Sequence, residues 1–329
     1  MNEAALGRGA APGGTHGRPM RTIFFGSGAF AVPVLDALVT MPGTELVAIV
    51  SAPDRPAGRS GMASAVPVAI RARELGLPLI QPTRLRSDAA VADVGALQPE
   101  LGVLADYGQI VPPSILALPK HGILNVHPSI LPRHRGASPI PATILGGDDE
   151  TGVTIIAMDA GLDTGPVVAV SRWPLTGSER APELELQAAM EGADLLRRTI
   201  PGWLANEVIA RPQAVEGATL TRPLRRDDGR LDPRRPAAEL ARQVRAYEPW
   251  PGAFVDTDGG RLKVLEAQAL PGDVDSSDTI GTLAGDREVR LVTGDGHLLL
   301  VRVQPAGGRP MTGEELLRGR PALAGTLVR

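Results

Sequence analysis

The chain of 329 residues carries a formal charge of -3, is 43% hydrophobic and 22% charged, and has no cysteine. These values exclude disulfides and thiolate chemistry, a chain disordered throughout, and a surface that is globally a polyanion-binding field. No apolar run approaches the roughly 18–20 residues that cross a bilayer, so the expectation is a cytoplasmic protein with no membrane partner.

The opening stretch "MNEAALGRGAAPGGTHGRPM" is rich in Gly, Ala and Pro and lacks the apolar segment of a signal peptide. Residues 1–19 are therefore expected to form a disordered leader. From Arg21 the pattern is strand, glycine loop, helix: "RTIFFGSGAFAVPVLDALV". The runs "ELVAIVSA", "LPLIQP", "LGVLADYG", "GILNVHPS", "GVTIIAMDA" and "GPVVAVSRW" follow, with helix-like segments between and after them. Continuous apolar strands alternating with helices imply a mostly parallel sheet covered on both faces. The expected fold is a doubly wound α/β domain over residues 20–206, with ligands at the C-terminal ends of its strands.

Residues 207–222 read as a linker of little periodicity, opening a longer stretch to Pro236 that is rich in Pro, Arg and Asp. Residues 223–329 hold a short helix-like segment and then closely spaced strands punctuated by "TDGG" and "GDG", the pattern of a small OB-like β-barrel. This last region carries 16 Arg and Lys against 16 Asp and Glu, so its net charge does not make it a nucleic-acid binder. Its cations are crowded at its entrance, where Arg222, Arg225, Arg226, Arg230, Arg234 and Arg235 are broken only by Asp227, Asp228 and Asp232.

Three places carry chemistry. The first loop, Gly26 to Ala31, matches G-x-G-x-x-A, with Asp54 where a ribose-binding carboxylate of a dinucleotide site would stand. So degenerate a match fits a tight strand-to-helix turn better than a nucleotide site, and a dinucleotide-dependent oxidoreductase is the remote alternative. The second place is "NVHPS". Residues two apart on a strand share a face, so Asn125 and His127 project together near the strand's C-terminal end. The third is the turn "DAGLDTGP", whose Asp159 and Asp163 are both able to cap the turn or to orient His127. An Asn, a His and an Asp without a Ser or Cys nucleophile suit direct transfer of a group to an external nucleophile: an amide for a developing oxyanion, an imidazole for the proton, a carboxylate to fix the ring. The remaining histidines offer no metal-ligand spacing with His127, so no metal is expected.

"NVHPSILPRHRGASPI" together with "TGVTIIAMDAGLDTGP" resembles the folate-dependent formyltransferases, whose motifs read N-x-H-x-S-L-L-P-x-x-R-G and G-L-D-T-G. The resemblance extends to "SAPDRPAGR", "DYGQIVP", "YEPWPGAF" and "TGDGHLLLVRVQPAGGRPMTGEELLRG", and so covers nearly everything from Met20 onward. Within the family it is closest in pattern to the members acting on methionyl-tRNA. It implies transfer of a formyl group from 10-formyltetrahydrofolate to the α-amine of methionine on initiator tRNA, by a protein expected to be a monomer. It further implies catalytic roles for Asn125, His127 and Asp163, and folate contact by Ser129, Ile130, Leu131 and Pro132. The tRNA would meet a loop from Pro53 to Gly61, with Arg55 the chief contact. The basic entrance is read as a second tRNA surface, through Arg225, Arg226 and Arg230. Small amines such as amino sugars are the alternative acceptor, and a noncatalytic tRNA-binding protein is a further one. The sequence departs from the family pattern where an aromatic is replaced by His134 and where "AYG" becomes Asp106-Tyr107-Gly108. Lysines are also absent after "PAGR" and near the linker.

Overall fold

The computed structural model describes residues 18–56, 63–270, 272, 279–285 and 287–328. Residues 1–17 of the expected leader and residues 57–61 of the 53–61 loop lie outside the described residues. Seven strands form the first sheet: β1 (Met20–Gly26), β2 (Thr44–Val50), β3 (Leu79–Ile80), β4 (Leu101–Ala105), β5 (Ile123–His127), β6 (Glu150–Ala157) and β7 (Val167–Pro174). Their spatial order is β3-β2-β1-β4-β5-β6-β7. The first five are parallel, and β6 runs against both β5 and β7. The chain order reverses between β1 and β4, which places a ligand crevice at that junction.

Alternation along β1 explains the layering. Phe24 packs on one face with α1 (Ala31–Val39) and the long α5 (Ala181–Leu204), while Ile23 and Phe25 pack on the other with Val94 of α3 (Asp88–Ala96) and Ile115. Two further helices, α2 (Pro67–Glu74) and α4 (Pro139–Gly146), and a one-turn helix over Pro113–Leu116 also belong to this half. Pro201 is accommodated in the last turn of α5, and no helix among the described residues is long and apolar enough to cross a membrane.

The second half has its own core around Leu240, Val255, Leu262, Leu298 and Leu316. After α6 (Ala237–Ala246) come β8 (Ala253–Thr257), β9 (Gly260–Leu270), β10 (Leu283–Ala284), β11 (Arg290–Val292), β12 (His297–Pro305) and β13 (Met311–Thr312). They pair antiparallel in the order β8-β9-β12-β11-β10, with β13 on β12. The expected "TDGG" and "GDG" turns are the β8–β9 and β11–β12 connections. Register shifts in β9 around Glu266 bend the sheet. Helix α7 (Gly313–Gly319) starts with a reciprocal cap, Glu315 N–H donating to Thr312 Oγ1 and Thr312 N–H to Glu315 Oε2.

The halves are joined by arginines: Arg180 pairs with Glu248, Arg242 Nε donates to Leu145 O at 3.1 Å, and Arg245 Nη2 donates to Gly177 O at 2.7 Å. Tyr247 completes the first core. The stretch expected as a linker is not a free tether. Leu220–Thr221 pair in parallel with Arg135–Gly136, and Arg211 exchanges backbone bonds with Val167 of β7.

Candidate active site

Ile123, Asn125 and His127 share one face of β5, while Leu124 and Val126 are buried in the core on the other. Asn125 and His127 are each 5% exposed. Buried polar groups require partners, and here they come from loops. Because β6 opposes β5, the loop that follows β6 folds back over this face. The carboxylate of Asp163 is its centre: Oδ1 accepts from Asn125 Nδ2 at 3.0 Å, Oδ2 accepts from the Gly136 N–H at 2.8 Å, and Oδ2 stands 3.7 Å from His127 Nδ1.

The other imidazole nitrogen, Nε2, lies 2.9 Å from the carbonyl oxygen of His134. A carbonyl only accepts, so Nε2 carries the hydrogen, and Nδ1, facing Asp163, is the nitrogen left to take up a proton. Burial pushes the His127 pKa down from 6.5, with the Asp163 charge and the His134 carbonyl acting against it and the His134 ring adding slightly to the fall. The free protein therefore holds a neutral imidazole at pH 7.

Local backbone makes this convergence possible. His134, Gly136 and Asp163 all have positive φ, at 57°, 98° and 53°. For a non-glycine residue this region costs of order 1 kcal/mol and persists where surrounding contacts hold it. His134 is held by Asp148, whose Oδ2 lies 2.8 Å from its Nε2 while Oδ1 accepts from Arg133. The imidazole that replaces the family's aromatic is thus locked by a buried carboxylate, and through its own carbonyl it locks His127.

The two aspartates left open by the turn's sequence have separate fates. Asp163 joins Asn125 and His127, whereas Asp159 closes its own turn, accepting from Gly161 N–H and Thr164 Oγ1. Ser129 and Leu131 are buried. Ser129 Oγ donates to Arg133 O, and Thr154 Oγ1 donates to Ser129 O while accepting from Leu131 N–H. The Ser129 hydroxyl thus serves the turn. Ile130, Leu131 and Pro132 line a cavity of about 260 Å³ with His134, Thr143 and Asp148.

In the first loop, the Ser27 and Gly28 N–H groups are given to Asp106 O at 2.9 and 3.4 Å, and the Asp54 carboxylate is taken by Arg73 and Gln81. The amides and the carboxylate that a dinucleotide needs are occupied internally, so the loop is a structural turn. A Cβ on Gly28 would lie 1.7 Å from Asp106 Oδ2. Asp106 keeps an exposed edge, yet the protein packed around its carboxyl pushes that group's pKa up, and the Glu185 carboxyl is raised by burial and then by Asp106.

The side chain of Arg55 lies outside the described residues. Arg225 and Arg226 are exposed and form no ion pair among the described residues. Arg230 instead pairs with Asp256 at 2.6 Å and sits 5.4 Å from the ring centre of Phe254.

Sequence reasoning missed Asp148, the tie between Arg135 and Gln213, and two exposed apolar side chains, Ile110 in the loop after β4 and, next to Asp163 in the loop after β6, Leu162. Arg135, Ile110 and Leu162 stood inside quoted motifs. Gln213 had no signal, being one polar residue in a stretch without periodicity.

Residues 20–200 match the family described as formyl transferase, and residues 223–321 the one described as formyl transferase, C-terminal domain. Curated relatives include the methionyl-tRNA formyltransferases of Roseiflexus sp. (strain RS-1), 42% identical over 92% of this chain and 93% of that protein, and of Myxococcus xanthus (strain DK1622), 40% identical over 93% and 97%. Among solved structures the fold is similar to WlaRD, a sugar 3N-formyl transferase crystallised with dTDP and 5-N-formyl-THF (TM-score 0.64, 15% identity, 89% of this chain and 100% of that one). It is also similar to the N-formyltransferase of Helicobacter canadensis in complex with folinic acid and dTDP-3-aminofucose (TM-score 0.62, 15% identity, 85% and 98%). At that identity the likeness speaks for the fold alone. Matched in both halves, and about as similar along most of its length to several methionyl-tRNA formyltransferases, the chain belongs to the formyl transferase family.

Proposed function

We infer that the chain transfers the formyl group of 10-formyltetrahydrofolate to the α-amine of methionyl-tRNA, for initiation of protein synthesis. Relatives bearing that activity in their name and spanning both halves of the chain carry the choice of acceptor. The convergence of Asn125, His127 and Asp163 supports the chemistry.

The amine nitrogen attacks the formyl carbon, and the carbonyl π electrons move onto oxygen. Asn125 gives one N–H to Asp163 and has a second for that oxygen, the kind of donor whose removal costs about 100- to 1000-fold in rate. His127, neutral at Nδ1, takes the proton released by the attacking amine, and Asp163 balances the imidazolium charge. The imidazolium returns the proton to the donor nitrogen as its bond to the formyl carbon breaks and tetrahydrofolate leaves. No covalent enzyme intermediate is needed. Holding the two substrates in attack geometry itself contributes several kcal/mol, about 7–11 at most.

The catalytic unit is placed at residues 20–206, the connection at 207–222 and the tRNA-contacting unit at 223–329. Exposed Arg225 and Arg226 are better placed for phosphates than Arg230, which would first leave Asp256. Arg55 is retained as a contact to the acceptor end, and the working site is the cytoplasm.

The test is acid-gel analysis of Met-tRNA incubated with the purified protein and 10-formyltetrahydrofolate, beside a dTDP-amino sugar as competing acceptor. Formyl-Met-tRNA is expected. Formylation of the sugar alone would overturn the choice of acceptor, and formylation of neither would overturn the reaction.

A further inference from the structure

Between Arg211 and Leu220 every residue is exposed except one, Gln213. Its side chain is turned toward the loops that hold the site. Nε2 donates to Asp163 O at 2.7 Å and to Gly165 O at 2.8 Å, while Oε1 accepts from Arg135 Nε at 3.0 Å and Arg135 Nη2 at 2.7 Å. Both amide hydrogens and the carbonyl are therefore used. The two segments so joined are the one that carries Gly136, whose N–H binds the Asp163 carboxylate, and the one that carries Asp163 itself.

Neighbouring residues of the same stretch reinforce the docking. Thr219 Oγ1 accepts from His134 N–H at 2.8 Å, Thr219 O accepts from Arg135 N–H at 3.0 Å, and Thr221 Oγ1 donates to Arg135 O at 2.9 Å. These act on the 134–136 segment alone. Gln213 is the side chain of this stretch that reaches both segments, and it fixes Asp163 by its backbone, where the left-handed conformation most needs an external hold.

We propose that Gln213 is a positioning residue for formyl transfer: by clamping the Asp163 and Gly165 carbonyls against the Arg135 guanidinium, it sets the carboxylate that Asn125 and His127 share. The connection between the two halves is thereby part of the active site, not a spacer. The proposal rests on the role given above to Asp163. Gln213 touches no reacting atom, so its removal lowers the rate of the chemical step and leaves substrate affinity nearly unchanged.

The test uses the full chain with Gln213→Met, which keeps length and volume without hydrogen bonds, Gln213→Glu, which keeps the acceptor for Arg135 but sets a carboxylate against two carbonyls, and Gln213→Asn, which keeps the amide on a stem one methylene shorter. Formyl transfer from 10-formyltetrahydrofolate to Met-tRNA is followed at several pH values, with thermal melting as a control. For Met and Glu, kcat is expected to fall roughly 10- to 100-fold, as for a group misplaced by about an ångström, with KM for Met-tRNA within about twofold. Asn should recover part of the loss. The groups facing the His127 ring are Asp163, opposite Nδ1, and His134, through its carbonyl and its ring. With Asp163 less well set, the limb of the pH profile that reports His127 should move to lower pH. Unchanged kcat in the Met variant, or a loss confined to KM, overturns the proposal. If the Met variant does not fold, a Glu or Asn variant that melts like wild type and has wild-type kcat overturns it equally. Should wild type not formylate Met-tRNA, or Asp163→Ala be silent, it is the underlying reading that fails, and the two failures are separable.

Discussion

The connection between the two sheets contains two adjacent stretches of different charge and opposite behaviour. Residues 211–221 carry little charge, yet their polar groups dock on the loops around Asp163 and His134. Residues 222–235 carry six arginines, and four of them are engaged with acids: Arg222 with Asp228, Arg230 with Asp256, Arg234 with Asp232 and Arg235 with Glu239. An arginine run in a sequence is therefore a poor measure of free positive charge. An unremarkable glutamine can matter more, because a positioned amide has two donors and an acceptor to place, whereas an exposed ion pair is worth little.

The largest effects are expected at the buried end of this contrast. Asn125→Ala and Asp163→Ala should each lower kcat by about 100- to 1000-fold, while Asp159→Ala, which loses only a turn cap, should remain within a few-fold of wild type. Single-turnover formyl transfer measures all three. A silent Asp163 beside a critical Asp159 would mean that the loop closes differently during turnover.

Gly136→Ala comes next. Its φ of 98° disfavours any side chain, and the new Cβ would fall 2.3 Å from Thr221 O. Backbone at that distance cannot yield cheaply, so the 211–221 stretch should lift from the 134–136 loop. The expected cost is about 1–3 kcal/mol in denaturant titration, with an additional loss of kcat of roughly 10-fold. Unchanged activity in a folded variant would separate docking from chemistry.

At the charged stretch the effects should be several-fold and dependent on salt. Replacing Arg225 and Arg226 together by Ala should raise KM for Met-tRNA and lower its salt slope by about one unit for each phosphate no longer neutralised. Arg230→Ala should do less to tRNA, since Asp256 already occupies that guanidinium. Asp256 would keep Arg261, 3.0 Å away, as a partner. Equal slopes for wild type and the double variant would remove both residues from the tRNA surface.

The smallest effect is one of pH on stability. His127 has its pKa lowered by burial, so between that lowered value and 6.5 the unfolded chain binds the proton and the folded one does not. Stability should be intact above about pH 6.5 and decline as pH falls from there toward the folded value. His127→Gln should flatten that part of a Tm-against-pH curve, and identical curves would show that the ring titrates normally.

How legible this was in the sequence depended on the kind of interaction. Strands such as "TIFFG" and "GILNVH" announced themselves because burial on both faces demands an unbroken apolar run. The direction of β6 did not, because hydrophobicity has no sense of polarity along a chain. Asn125 and His127 could be paired from alternation alone, but Asp159 and Asp163 could not be ranked by spacing. Backbone conformation separated them, and short polar residues tolerate the left-handed region without any sequence mark. Docking of 211–221 was hidden for a related reason. Much of it is made by backbone amides and carbonyls, which every residue has.

The sequence separations inside this network have a consequence for how the molecule is made. Asn125 and Asp163 lie 38 positions apart, Asp163 and Gln213 a further 50, and Arg135 and Gln213 78. Long loops must close before such pairings give any return, so the network forms late in folding, after the strands it rests on. On the ribosome, the first half can collapse around its sheet as soon as α5 has emerged, since domains fold as units during synthesis. The Asp163 and Gly165 carbonyls gain their hydrogen bonds from Gln213 only once residue 213 has followed. Protection of residues 211–221 from proteolysis in ribosome-bound chains of increasing length would therefore mark the docking of the connection, later than the first appearance of protease-resistant structure in the sheet.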